Sequence, residues 1–550
     1  MKKLHTLVLL LACTLAVGCS SGGDDPIDDP KPTPTPTPTP TPSDPTDADL
    51  ANYKCPTYVD NYVSIADWSK RSQWNLANVH DPSVMKAADG YYYMYQTDAS
   101  YGNAHDGHGH FHARRSKDLV NWEYLGGTMT VAPVWVKTKL NEIRAEQGLA
   151  PIANPSYGYW APCVRKVKDN LYRMYYAIVV DNYIKTGGIT YDGSWTERAF
   201  IGMAETTDPA SNKWTDKGFV VCSSSDKGKN WTRKSNSDWD GYFKFNAIDP
   251  SFIITPNGEH WLIYGSWHSG IAALQVNPED GKPLNALGNP WDITGEDNSG
   301  YGKIIATRGT SRWQASEGPE VIYRDGYYYL FLAYGSLSVE YNTRVCRSRN
   351  IDGPYVDIHG NSAMGSAQLY PILTAPYRFD NSYGWVGISH CGIFDDGAGN
   401  WFYTSQGRFP VNVGGNEYSN AIMMGHVRSI RWDANGWPLV MPERYGAVPQ
   451  APITENEIAG DWEHLALTTS TGTQRTSETM TYDLGTHKIT SGSWKNATWT
   501  FDAATQTITT SAGVVLYLQR EVDWEASPRT HTIVYAAQGN QKTYWGKKLQ

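Results

Sequence analysis

The stretch HDPSVMKAADGYYYMYQ, His80 to Gln96, decides the fold. An Asp-Pro pair opens it, a short apolar run follows, and an Asp-Gly turn leads into a tyrosine-rich run. This predicts two strands of a hairpin with the Asp81 carboxylate at the mouth. The pattern returns as WAPCVRKVKDNLYRMYY (160–176), IDPSFIITPNGEHWLIYG (248–265), EGPEVIYRDGYYYLFLAYG (317–335) and HCGIFDDGAGNWFYTSQG (390–407). The turn falls eight residues after the proline in the first three copies and seven after it in the last two, with Gly392 in the proline's place in the fifth. Copies 69 to 88 residues apart leave room for one four-stranded antiparallel sheet each. Radial repetition of such sheets predicts an all-β fold, a five-bladed β-propeller over residues 53–450. A long β-sandwich is the rival, and one turn position shared by five copies argues against it. SIRWDANGWPLV (429–440) reads as the last strand, closing the ring near its start. The best helix candidate is TKLNEIRAEQG (138–148), in a loop.

In a propeller the first strand of each blade lines the central channel, so equivalent positions ring one pocket. The place before the proline reads Asp81, Ala161, Asp249, Gly318 and Cys391, and the place before that reads His80, Trp160, Ile248, Glu317 and His390. Asp-Pro is a common turn dipeptide, so one such Asp alone is explained as a strand-starting residue. Three carboxylates at homologous blade positions are not, because packing needs none there and their repulsion costs stability. Asp81, Asp249 and Glu317 suit glycoside hydrolysis, in which one carboxyl protonates the leaving oxygen and another activates water. A third carboxylate close by raises the acid's pKa and orients it.

Composition sets the bounds. With 550 residues, one large β architecture plus accessories fits. Aromatics make up 13%, with 22 Trp and 36 Tyr, a surplus that suits the apolar faces of sugar rings as well as a β-rich core. A formal net charge of −9 argues against nucleic acid as a partner.

The first residues are a targeting segment. MKK is a positive leader and LHTLVLLLACTLAVG an apolar run too short to span a membrane. The run ends at Cys19 and resembles a bacterial lipoprotein signal, which implies removal of residues 1–18 and lipidation of Cys19. Ser, Gly and Asp after the cysteine resemble the export tag of surface lipoproteins in some Gram-negative bacteria. The expectation is an outer-membrane lipoprotein displayed at the cell surface and touching the membrane through its lipid alone. Residues 19–52 are an acidic and Thr-Pro linker. Extended at about 3.1 Å per residue, Pro30 to Pro42 would stand the domain off by roughly 40 Å. A disordered glycosylated stalk would serve equally. Beyond Cys13 and Cys19 the chain keeps Cys55, Cys163, Cys222, Cys346 and Cys391, an odd number without a CxxC pair. That excludes a full disulfide framework, leaves one bridge open, and makes most of them small buried residues.

After APITENEIAG (451–460) the composition turns to Thr and Ser, with alternating stretches such as ETMTYDLG, ATWTFD and THTIVYAAQ. Residues 454–550 read as a small C-terminal β-barrel or sandwich without an acid/base constellation. It is a packing accessory or a sugar-binding module.

HDPSV (80–84), YWAP (159–162), NAIDPSF (246–252), YGSWHSGI (264–271), SEGPEV (316–321), RVCRSRNIDGPY (344–355) and WDANGWP (432–438) stand in order along the chain. In these motifs the sequence resembles glycoside hydrolase family 43, and within it the extracellular α-1,5-L-arabinanases, over residues 75 to 450. The C-terminal β domain also resembles one attached to some arabinanases. The resemblance implies Asp81 as the general base that deprotonates water, Glu317 as the general acid, and Asp249 as the carboxylate that tunes and orients that acid. It implies inversion, with acid and base about 6.5–9.5 Å apart. Trp160 is expected to stack on an arabinofuranose ring, and Asn246 and Trp267 to line the cleft. The resemblance also implies a metal, Ca²⁺, on the propeller axis, with His390 in GISHCG as its one protein ligand beside waters. Relatives read Gly-His-Asn there, so Cys391 is a departure. The run HDGHGHFH (105–112) fits no zinc spacing and has no cysteine, and is expected to form a loop at the pocket rim.

Together these readings give a monomeric endo-acting hydrolase of arabinan and pectic side chains. An exo-acting arabinofuranosidase or β-xylosidase of the same fold is the nearest rival, and loops 126–157 and 275–312 decide between an open groove and a blocked pocket. A non-catalytic glycan-binding lipoprotein would have lost a carboxylate, and all three are present. A retaining fructosidase would set Asp81 as nucleophile within Asn-Asp-Pro-Asn, and His80 and Ser83 speak against it.

Overall fold

The computed structural model of the chain describes residues 44–58, 62–180, 197–230, 243–266, 270–293, 300–308, 316–365, 368–379 and 382–550. The signal segment, Cys19, nearly all of the Thr-Pro linker and Trp267 lie outside the described residues.

Five antiparallel four-stranded sheets form, one per sequence repeat. Blade one holds Ser83–Lys86, Tyr92–Tyr95, His110–Ser116 and Glu123–Met129; blade two holds Tyr157–Lys168, Leu171–Val180, Arg198–Thr206 and Thr215–Cys222. Blade three holds Ser251–Ile254, His260–Gly265, Ile271–Val276 and Lys303–Ala306. Blade four holds Ser316–Arg324, Tyr327–Tyr334, Asn342–Ser348 and Ile372–Thr374, and blade five Val386–Asp395, Trp401–Arg408, Met423–Trp432 and Pro438–Val440. The second strands YYMY and LYRMYYAIVV are buried almost throughout because each blade is covered on both faces by its neighbours. That is why these runs are apolar without alternation.

The ring closes through the residues just ahead of blade one. Asn78 N donates to Met423 O at 2.9 Å, and Gly425 N donates to Leu76 O at 2.8 Å. The segment 429–440, expected as one closing strand, is instead the end of Met423–Trp432, a turn, and the outer strand Pro438–Val440. The helix expected at 138–148 runs over Val134–Glu146. Its buried Val136, Leu140 and Ile143 recur at helical spacing, and Trp135 packs on Phe200 and Phe219 of blade two. The segment therefore lies against the outer strands of that blade.

The C-terminal residues form one eight-stranded antiparallel sheet, from Gly460–Leu467 to Lys542–Lys548, whose end strands meet at a Lys488–Thr498 bridge. It is a closed barrel filled by Trp462, Trp499, Leu516 and Tyr535. A second apolar cluster joins its Leu465, Val534 and Trp545 to Ile372 of blade four, Leu439 of blade five and Tyr377 between them. Trp545 Nε1 donates to Val440 O at 2.8 Å, and Thr543 Oγ1 donates to Ile372 O at 2.5 Å. All five cysteines from Cys55 onward are free thiols, four of them buried.

Candidate active site

Every blade carries the same irregularity in its first strand. The register skips two residues between Trp160 and Cys163, between Glu317 and Glu320, and between Ser389 and Gly392. Blades one and three do likewise, with Thr97 N donating to His80 O and Gly265 N to Ile248 O, each at 3.0 Å. The first skipped residue has a left-handed backbone in all five: Asp81 (φ 46°), Ala161 (42°), Asp249 (53°), Gly318 (55°) and His390 (53°). A non-glycine residue there costs about 1–2 kcal/mol. Such a bulge re-aims one side chain, and here it turns that side chain toward the axis.

This register corrects the fifth copy. His390, not Cys391, stands in the place of Asp81, and Cys391, not Gly392, in the place of the proline. Alignment on the proline slips by one because blade five has none at this position. Glu317 stands one residue ahead of its bulge, where the other blades carry His80, Trp160, Ile248 and Ser389.

The bulges bring Asp81, Asp249, Glu317 and His390 together. Asp81 Oδ1 lies 3.0 Å from His390 Nδ1, and its Oδ2 lies 2.9 Å from His80 Nδ1. Thr97 Oγ1 donates to the same Oδ2 at 2.7 Å, and the Asp81 backbone N–H donates to Gln406 Oε1 at 3.0 Å. Burial alone would raise the Asp81 pKa, but the His390 and His80 rings outweigh it and hold the carboxyl well below the ordinary range. Asp249 differs. Burial, with the Glu317 and Asp81 charges, pushes it up to about 7 against the pull of His390. Its Oδ2 accepts the Gly318 N–H at 3.1 Å. Glu317 accepts Tyr341 Oη on Oε1 at 2.5 Å and Ser266 Oγ on Oε2 at 3.2 Å. Burial disfavours charge on His390, yet Asp81, Asp249 and Glu317 together raise it to about 10. Its ring lies against Gly318, where a Cβ would come within 2.8 Å of His390 Cγ.

One carboxyl held low and another raised to about 7, beside a third, form an arrangement able to accept one proton and deliver another. A hydrated hard cation would meet His390 at Nε2, since Nδ1 is turned to Asp81 and carboxylates surround the ring, and would have to displace the second proton that those carboxylates favour. Among the described residues, one set of three acidic or imidazole donors lies within 4.8 Å of one another, Glu443, Asp523 and Glu525. It lies elsewhere, and Lys547 Nζ fills it, 2.9 Å from Asp523 and 2.7 Å from Glu525.

Trp160 is half-buried at the blade-two position, packed beside Ala177, Val179 and Ile248. Asn246 is half-buried, and its Oδ1 accepts Ser223 Oγ at 2.9 Å. The histidine run expected as one loop is split: His105 and His108 lie in the turn, His110 and His112 in the strand His110–Ser116, and the four rings disperse. His108 stacks on Trp68 at 3.5 Å, His105 on His112 at 3.8 Å and His110 on Tyr159 at 3.4 Å. His110 also pairs with Asp98, next in sequence to Thr97.

Sequence reasoning missed Thr97, Gln406 and Tyr341. Thr97, just past Tyr92–Tyr95, and Gln406, within Trp401–Arg408, both face the residue ahead of their blade's bulge and so follow the repeat. Tyr341 sits in the blade-four loop ahead of Asn342–Ser348, where no repeat position marks it.

The glycosyl hydrolases family 43 model matches residues 76–438, and a C-terminal lipocalin-like domain model matches residues 442–546. An extracellular endo-α-(1→5)-L-arabinanase of Thermotoga petrophila is 27% identical over 428 residues, 74% of this chain and 79% of that one. One from Bacillus subtilis is 25% identical, over 72% of this chain and 77% of that one. An extracellular exo-α-(1→5)-L-arabinofuranosidase of Cellvibrio japonicus is 24% identical, over 66% and 86%. The crystal structure of a Thermotoga petrophila endo-1,5-α-L-arabinanase superposes with a TM-score of 0.63 at 24% identity, over 86% of this chain and 99% of that one, and supports the fold. With two thirds of its length matched by the family model, the chain belongs to glycosyl hydrolases family 43.

Proposed function

We propose that the protein is an endo-acting arabinanase that cleaves internal α-1,5-L-arabinofuranosidic bonds with inversion. The observation that carries this reading is the convergence of Asp81, Asp249 and Glu317 on one axis in a family 43 chain with arabinanase relatives. Asp81 is held as a carboxylate by His390 and His80, and takes a proton from the attacking water. Water adds to the anomeric carbon from the face opposite the leaving oxygen. Glu317, held by Tyr341 and Ser266, gives its proton to that oxygen. Asp249 holds the Gly318 N–H and so fixes the backbone beside the acid. Trp160, Asn246 and Trp267 are assigned to the cleft.

A calcium ion bound at His390 Nε2 would add positive charge beside the acids and hold ordered water. The leader fits an outer-membrane lipoprotein, lipidated at Cys19 and displayed on the surface as a monomer.

Sizing the products from linear and branched arabinan over time tests the reading. Mixed oligosaccharides at early times are expected, and monosaccharide alone from the start would replace endo with exo action. Asp81→Ala and Glu317→Ala should each lose nearly all hydrolysis while remaining folded. Cys19→Ser should leave the membrane fraction.

A further inference from the structure

A second cavity, of about 610 Å³, lies where blade five meets the barrel. That volume is in the range of ligand pockets. Its floor is aromatic: Trp385 and Phe409 stack with centroids 4.8 Å apart at 19°, and Trp524 lines the barrel side. Tyr383, 60% exposed, and Val63, 44% exposed, belong to its outer lining. Polar groups reach the same space. The Arg444 guanidinium is buried, 4.2 Å from the Trp524 ring centroid and 5.6 Å from that of Trp385, and Glu525 and Asn416 complete the lining.

The chemistry of this lining is that of a neutral polyhydroxylated ligand. The exposed Tyr383 ring can cover an apolar C–H face, a few polar side chains meet hydroxyls, and Trp385, Phe409 and Trp524 form the packed base beneath. Neither charge favours an ion, since Glu525 is already paired with Lys547 at 2.7 Å and Arg444 stands close by. The cavity is also joined to the catalytic rim through one peptide bond. Phe409 follows Arg408, whose Nη2 lies 3.3 Å from His80 Nε2, and His80 faces Asp81.

We propose that this cavity is a second binding site for a furanosyl oligosaccharide, taking the portion of a long arabinan chain that extends beyond the catalytic groove. It gives the barrel a part in substrate capture through Trp524 and Glu525. This rests on arabinan being the substrate.

The test compares the full-length chain with Tyr383→Ala, which removes the exposed ring, and Val413→Trp, which fills the cavity from its exposed wall. KM and kcat are measured on long linear arabinan and on arabinotriose, and circular dichroism checks that each variant is folded. Both variants are expected to raise KM for the polymer about fivefold and to leave kcat/KM for the trisaccharide unchanged. Unchanged polymer KM in both variants would overturn the proposal, as would an equal loss on both substrates. Failure of the wild-type chain to cleave either substrate would overturn the arabinan reading and this inference with it, and is told apart because it precedes any effect of substitution.

Discussion

Asp81 and His390 occupy the same bulge position in blades one and five, and their side chains meet at 3.0 Å across the propeller axis. Both hold a left-handed backbone that disfavours a side chain, at about 1–2 kcal/mol each. The surrounding sheets enforce that conformation, and what results is an imidazole ring fixed against one carboxylate. Blade three brings Asp249 to the axis by the same device, and blade four brings Glu317 one residue earlier. Fold repetition and site construction are thus one event.

The His390 arrangement predicts a dependence on metal. Dialysis against EDTA should lower hydrolysis by the wild-type chain, and Ca²⁺ should restore it. His390→Ala should be weak from the outset and indifferent to both treatments. Elemental analysis should find about one calcium per wild-type chain and none in the variant. Full activity after verified metal removal would exclude a catalytic need for the ion.

Tyr341 is a positioning residue, donating to Glu317 at 2.5 Å from a buried site. A hydrogen bond between neutral groups is worth about 0.5–1.5 kcal/mol. Tyr341→Phe should therefore lower kcat by roughly 2- to 13-fold with KM nearly unchanged, because the lost contact orients the acid. A rise in KM with kcat intact would place Tyr341 in substrate binding instead.

The propeller and its acids were legible because the repeat is local. Each copy carries its own Pro, turn and aromatic strand, so five weak signals align. The slip at His390 has a physical cause: the conserved quantity is a backbone bulge, and Cys391 can occupy its second position as well as proline does. Tyr341 and Ser266 were not legible as partners, because their closeness to Glu317 comes from loop paths between strands. The Asp249 shift was hidden too, since it depends on burial and on two charges from other blades.

Gly318 is required by its neighbour as much as by its own backbone. A Cβ there would sit 2.8 Å from His390 Cγ, at a φ of 55°. Gly318→Ala should push the imidazole from Asp81 and cut kcat at least tenfold, while the melting temperature falls by only a few degrees. Activity within twofold of wild type would show that the ring can move without consequence.

One step along the same strands, Arg165 and Glu320 pair across the axis, and this pair binds all five blades. Glu320 accepts Ser251 Oγ at 2.7 Å and Ile393 N at 3.1 Å, and Arg165 Nη1 lies 3.2 Å from Ser83 Oγ. Breaking such a buried pair leaves an uncompensated charge and costs about 3–5 kcal/mol. Glu320→Ala should lose that much in denaturant unfolding, and Arg165→Met with Glu320→Leu should recover part of it. Additive losses in the double variant would mean the two residues stabilise the ring separately.

The barrel should set an acid limit on stability. His464 is buried with Nδ1 2.6 Å from Tyr535 Oη, and burial, helped by Lys542, lowers its pKa to about 3. The unfolded chain takes up that proton near pH 6.5. Its contribution is therefore complete above about 6.5 and is lost as pH falls toward 3, at up to about 1.4 kcal/mol per pH unit. His464→Phe gives up one hydrogen bond, so at pH 7.5 it should be less stable than wild type by about 1 kcal/mol. Below pH 6 the gap should close, since the variant has no proton to gain there on unfolding. Thermal melts of both chains between pH 4.5 and 7.5 decide the matter, and a gap that stays constant across that range would show that His464 does not govern the acid limb.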